Sequence, residues 1–146
     1  LKEYGVPGHC LELEITENVI MKDMDAAVTQ LKNIARYGVK IAIDDFGTGY
    51  SSLSYLKSLP INTLKMDQSF VNEISDELAE ESIISAIAAM AKGLRLKLIA
   101  EGVEQEIQAR YLNKIGCDEA QGYLYSLPLA PDNIPTYLRQ QQALSA

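Results

Sequence analysis

The sequence predicts a parallel α/β fold of barrel type, and three observations carry that prediction. Apolar strand segments alternate with helix-period segments five times along the chain. Each strand delivers polar residues at its C-terminal end, namely Glu14, then Asp44 and Asp45, then Lys65 and Asp67, then Glu101, and finally Gln121. From Glu14 through Asp44, Asp67 and Glu101 to Gln121 the spacings are 30, 23, 34 and 20 residues. Such spacings suit βα units joined by right-handed crossovers, and the C-terminal rim of parallel strands is where barrel enzymes keep their active sites. A doubly wound nucleotide-binding fold is the weaker alternative, since Gly47-Thr48-Gly49 has neither the dinucleotide-fingerprint spacing nor a phosphate-loop lysine.

The first strand spans Leu11 to Thr16 and alternates strictly, with Leu11, Leu13 and Ile15 on one side and Glu12, Glu14 and Thr16 on the other. In a barrel the apolar side faces the helices, which turns Glu14 inward; a solvent-exposed edge strand accounts for the same alternation. Glu17 follows in the loop as a brace. A helix from Asp25 to Tyr37 carries Ala27, Val28, Leu31, Ile34 and Ala35 on one stripe, capped by Asp23 and terminated at Gly38. The second strand begins at Lys40 and runs into Asp44-Asp45 and a turn at Gly47. Adjacent strand residues face opposite ways, so both carboxylates reach one rim only if the strand ends between them. Close carboxylates repel and imply a cation or a shared proton, whereas the plain alternative is a solvated loop start with an Asx-turn.

Ser51 to Leu59 reads as a short helix stopped by Pro60, and Ile61 to Met66 as the third strand, presenting Lys65 and Asp67 two residues apart. A lysine among carboxylates can hold a water or balance a phosphate charge; a simple salt bridge would use the same residues. A helix over Asp76 to Lys92 ends at Gly93, a continuous apolar strand covers Leu96 to Ala100, and a further helix covers Gln105 to Ile115 with Gly116 as its cap. The last strand is Glu119 to Leu124, and Pro131 opens a terminal helix.

A composition of 47% hydrophobic and 23% charged residues over 146 positions is that of one ordinary domain. No apolar run approaches a membrane span and the first residues carry no signal-peptide pattern, so a cytoplasmic location is expected. The formal charge of −7 excludes broad contact with DNA or a membrane surface. Cys10 and Cys117 lack any metal-ligand spacing and are expected to be reduced and at least half buried. His9 is the only histidine and is read as structural or solvated, which excludes histidine acid-base chemistry and a histidine-rich zinc site.

The segments D-D-F-G-T-G-Y-S-S-L-S-Y-L (44 to 56), E-I-T-E (14 to 17), L-K-M-D-Q-S-F (64 to 70), I-A-E-G-V-E (99 to 104) and G-C-D-E-A-Q-G-Y-L-Y (116 to 125) together resemble the EAL domain, a bacterial phosphodiesterase that linearises cyclic di-GMP. The resemblance implies a TIM-barrel-derived, incomplete fold with about five of eight βα units in this chain. Residues 1–146 are then expected to form only the C-terminal portion of such a domain, without the strand bearing the name-giving Glu-Ala-Leu and without a metal-binding asparagine. By the same resemblance Glu14 and Asp44 correspond to ligands of a first Mg2+ or Mn2+ ion, with Asp44 bridging to a second. Asp45 and Glu101 surround the second position and Asp67 supports it. Lys65 corresponds to the residue orienting the attacking water, Gln121 to an active-site glutamine, and Glu17 to a brace for the loop from Phe46 to Leu53. Gln68 and Leu127 depart from the family's usual arginine and basic or polar residue.

The implied substrate is cyclic di-GMP and the implied product pGpG, made by an intact domain that forms homodimers and is joined to sensory or GGDEF domains. The short chain by itself is expected to be inactive. The alternative is a non-catalytic module that binds the dinucleotide or a partner. Opening a cyclic phosphodiester with water needs charge absorbed on the phosphoryl and leaving oxygens, which cations about 3.5–4 Å apart can supply, and carboxylate oxygens select hard cations.

Overall fold

A computed structural model describes residues 1, 3–47, 56–75 and 83–144, with side chains described as far as residue 141. Among the described residues five strands form one sheet in the order β1-β2-β3-β4-β5, every neighbouring pair parallel. They are β1 (Glu12–Thr16), β2 (Lys40–Phe46), β3 (Thr63–Met66), β4 (Lys97–Ala100) and β5 (Glu119–Ala120). Sequential parallel order is that of a barrel wall, and here it stays open, in keeping with an incomplete barrel. The helices are α1 (Glu17–Lys22), α2 (Met24–Ala35), α3 (Gln68–Asn72), α4 (Ile83–Leu94), α5 (Glu106–Lys114) and α6 (Ile134–Leu144).

The pleat sorts the two faces. Ile41 and Ile43 of β2, Leu64 and Met66 of β3, and Leu98 and Ala100 of β4 are buried in one core with Leu31 of α2, Ile84, Ile87 and Ala91 of α4, and Tyr111 and Leu112 of α5. Each Leu, Ile or Met side chain among them contributes about 1.5–3 kcal/mol by leaving water. The opposite face is polar: Thr63 Oγ1 donates to Glu12 Oε2 at 2.9 Å, and Lys97 Nζ meets Glu119 Oε1 at 2.5 Å. The helices pack on the apolar face, and the opposite face, which also holds Ala42 and Ile99, carries the polar site.

Several local expectations change. Glu17 lies not in a loop but in the first turn of α1, and Thr16 ends β1 directly before it. β3 is shorter than expected because Asn62 turns its side chain onto the neighbouring strand, Oδ1 accepting from Ile41 N at 3.0 Å. β5 shrinks to two residues because the chain turns at Gly122, where Tyr125 N donates back to Gly122 O at 3.1 Å. Gly93 does not stop α4; the helix runs on to Leu94, and Arg95 takes the left-handed position at φ 60°. Cys10 is exposed at the end of the 3-10 turn Gly8–Cys10, which packs through Gly8, not Cys10, on the Tyr37–Gly38 backbone. Cys117 is half buried, as expected, and burial pushes its thiol up to about 11. The short helix expected over Ser51 to Leu59, and the first turns of the helix from Asp76, lie largely outside the described residues. Among the described residues no helix is long and apolar enough to cross a membrane.

Candidate metal centre

The centre is built at the C-terminal ends of β1 to β4, and β2 explains how two neighbouring carboxylates come to share it. Ile43 pairs with Leu64 and Phe46 with Met66, so β2 uses three steps where β3 uses two. The extra residue is a β-bulge, and Asp45 sits in it at φ 52°. A bulge re-aims side chains that a regular pleat would send to opposite faces. The strand therefore does not end between the two aspartates, as the sequence suggested; it continues to Phe46 and kinks instead. One oxygen each from Asp44, Asp45 and Glu101 then lie within 4.8 Å of one another.

Lys65 reaches the same place from β3. Its Nζ lies 2.8 Å from Glu101 Oε1, 2.9 Å from Glu14 Oε1 and 3.0 Å from Asp44 Oδ1, with only 7% of its side chain exposed. Burial disfavours the ammonium, but its hydrogen bonds to Glu101, Glu14 and Asp44 outweigh that and hold its pKa above the ordinary lysine value. For Glu101 the balance falls the other way. Burial raises its pKa, and the hydrogen bond and charge of Lys65 offset this only in part. Among these residues one ammonium faces four carboxylates, so the rim remains negative.

The remaining sequence-derived candidates are placed differently. Asp67 caps α3, its Oδ1 accepting from Ser69 N at 2.9 Å and from Ser69 Oγ at 2.5 Å; it stands outside the three-carboxylate group. Gln121 directly follows β5 and is exposed; its backbone N–H donates to Ala100 O at 2.8 Å and its carbonyl accepts from Val103 N at 3.0 Å. Glu17 is buried, with 1% exposure, at the start of α1. Most of the loop it was expected to brace, from Phe46 to Leu53, lies outside the described residues.

Sequence reasoning passed over Gln108, a buried residue of α5. Its Oε1 accepts from Glu104 N at 2.8 Å and Gln105 N at 2.9 Å, and its Nε2 donates to Val71 O at 3.2 Å. It thereby ties the segment after Glu101 to α3. The signal was present, because Gln at the third helical position behind a polar N-cap is a capping pattern. Hard oxygen donors on a negative rim suit Mg2+ or Mn2+, which take carboxylates and waters; the donor set of Asp44, Asp45 and Glu101 fits such an ion.

Comparison with known proteins gives the family. The pattern of the EAL domain matches residues 1–128. The matched stretch holds all five strands and so nearly the whole folded chain, which corrects the expectation that only the C-terminal part of such a domain is represented. The chain is 45% identical over 128 residues to MucR of Pseudomonas aeruginosa, a bifunctional diguanylate cyclase/cyclic di-GMP phosphodiesterase, covering 88% of this chain and 18% of MucR. A solved MucR phosphodiesterase in complex with c-di-GMP superposes with a TM-score of 0.83 at 44% identity, over 92% of this chain and 54% of that one. A manganese and cyclic di-GMP complex of BlrP1 from Klebsiella pneumoniae gives a TM-score of 0.79 at 31% identity, over 88% of this chain and 33% of that one. The chain spans about a fifth of the length of the curated relatives it matches.

Proposed function

The chain belongs to the EAL domain family, and on that premise we propose that its rim serves the metal-dependent hydrolysis of cyclic di-GMP to linear pGpG. The observation that carries the proposal is the convergence of Asp44, Asp45 and Glu101 within 4.8 Å, with Lys65 beside them. Asp44, Asp45 and Glu101 would hold Mg2+ or Mn2+, with Glu14 next to them across Lys65. A divalent cation there would polarise a phosphoryl oxygen and lower the pKa of a bound water. Lys65, a donor only, spaces Glu14, Asp44 and Glu101 and can donate to that water or to a phosphate oxygen. Gln121, exposed on the same rim, can meet the nucleotide. Asp67 supports the site by holding the N-terminus of α3.

Homodimerisation of an intact domain and attachment to sensory or GGDEF domains belong to the same proposal; the bifunctional relative supports the latter. The domain portion is taken to continue beyond the family match to residue 146, because α6 returns to the fold through Tyr137, whose hydroxyl donates to Tyr125 O at 3.0 Å. A second reading is a receptor that binds the dinucleotide without cleaving it. It is favoured by Lys65, which already contacts three of the carboxylates.

One experiment separates the readings. An open sheet leaves substrate and water loosely placed, and poor placement costs orders of magnitude. The 146-residue chain alone therefore gives no hydrolysis above background with Mg2+ or Mn2+, while a version extended to a closed barrel releases pGpG by chromatography. Glu101→Gln in the extended protein lowers the rate about 100-fold while circular dichroism stays unchanged. An extended protein that binds the dinucleotide without turnover would establish the receptor reading instead.

A further inference from the structure

Asp45 adopts a left-handed backbone at φ 52°, a conformation that costs a non-glycine residue about 1–2 kcal/mol and persists only where its surroundings enforce it. On the sheet side the bulge is fixed by the pairs Ile43 with Leu64 and Phe46 with Met66. Its exit is fixed from α3. A Cβ on Gly47 would stand 2.6 Å from Cε2 and 2.7 Å from Cζ of Phe70, so the ring lies directly over the Gly47 backbone, which itself turns at φ 97°. The same short helix meets the other ligand segment, because a Cβ on Gly102 would stand 2.5 Å from Gln68 Cβ. α3 is itself held at both ends, by the Asp67 cap and by Gln108 Nε2 on Val71 O at 3.2 Å.

We propose that α3 is a brace spanning the ligand segments after β2 and β4, and that Phe70 is a positioning residue that seats Asp44 and Asp45 by pressing on Gly47. The inference rests on the metal reading for its consequence and on packing alone for its geometry. Seating residues of this kind change metal affinity about 10- to 100-fold when removed. Gln68 and Gly102 provide the corresponding contact for Glu101.

The test uses the 146-residue chain with Mn2+ as the probe, titrated calorimetrically, together with amide hydrogen exchange. Phe70→Ala weakens Mn2+ binding about tenfold and speeds exchange at Phe46, whereas Phe70→Leu, which keeps an apolar group over Gly47, restores most of both. Ile87→Ala, a core truncation on α4, lowers the thermal midpoint without altering affinity. If Phe70→Ala does not fold, Phe70→Val takes its place with a several-fold loss expected. Unchanged Mn2+ affinity and exchange in the Phe70 variant, or an equal loss in Ile87→Ala, overturns the brace. Failure of the metal reading has a separate signature: Mn2+ binding that survives Asp44→Asn, in which case exchange at Phe46 alone decides the role of Phe70.

Discussion

Lys65 and Glu101 touch at 2.8 Å yet bear on stability in opposite ways. A lysine whose folded pKa lies above its unfolded value contributes stability fully present below about pH 10.4 and lost as pH rises through the folded value. A glutamate raised mainly by burial does the reverse. It carries a penalty at neutral pH, and that penalty is relieved as pH falls through the raised folded value toward about 4.3. In the metal-free chain at pH 7, Lys65→Met is therefore destabilising by about 3 kcal/mol, the low end for an uncompensated buried charge. The deficit narrows as pH falls and Glu101, whose pKa burial raises, takes up a proton. Glu101→Gln instead raises the thermal midpoint at pH 7, and its advantage shrinks toward pH 4. Thermal melts at pH 4, 5.5 and 7 check both, and a Glu101→Gln chain that melts lower at pH 7 would show that its ion pair outweighs its burial. Under the proposed metal reading, Glu101 is thus a residue whose charge would serve a ligand at the expense of stability.

Helix ends show the next scale. α4 and α5 finish with the same pair of bonds: Leu96 N to Ala91 O at 2.9 Å with Arg95 N to Lys92 O at 3.1 Å, and Cys117 N to Leu112 O at 3.0 Å with Gly116 N to Asn113 O at 3.0 Å. Both are Schellman closures, which place the residue after the cap in left-handed backbone. α5 fills that position with Gly116 at φ 80°, whereas α4 fills it with Arg95 at φ 60°. Arg95→Gly is expected to stabilise the chain by about 0.5–1 kcal/mol and Gly116→Ala to destabilise it by about 1 kcal/mol. A Cβ at Gly116 would meet nothing within 4 Å, so its effect isolates backbone strain. Denaturant midpoints at constant slope measure both, and a neutral Gly116→Ala would refute the strain argument.

For the molecule as a whole, β1 and β5 end the sheet among the described residues, each with one strand neighbour. Leu13 of β1 is 37% exposed, and beyond β5 Tyr123 is 62% and Leu127 64% exposed. Unpaired strand edges beside apolar side chains promote pairing with another chain. Light scattering of the 146-residue chain over a concentration series should show mass rising with concentration, and Leu13→Lys should reduce that rise. A monomer across the series would show that the edges are protected.

The strands and the rim were legible in the sequence because they rest on local periodicity. Alternation in L-E-L-E-I-T placed Glu14 on the polar face, and the polar ends of successive strands named Asp44, Lys65 and Glu101 before any contact was known. The caps at Asp23 and Gly116 were legible for the same reason, since each depends on residues within one turn. What the sequence could not show depends on contacts between segments far apart along the chain. The bulge at Asp45 exists only in the register of β2 against β3, and its left-handed backbone is not coded by an aspartate in itself. Gln108 reaching Val71 and Phe70 lying over Gly47 each join distant segments. Periodicity reports which face a residue takes, and only the tertiary structure decides what stands opposite it.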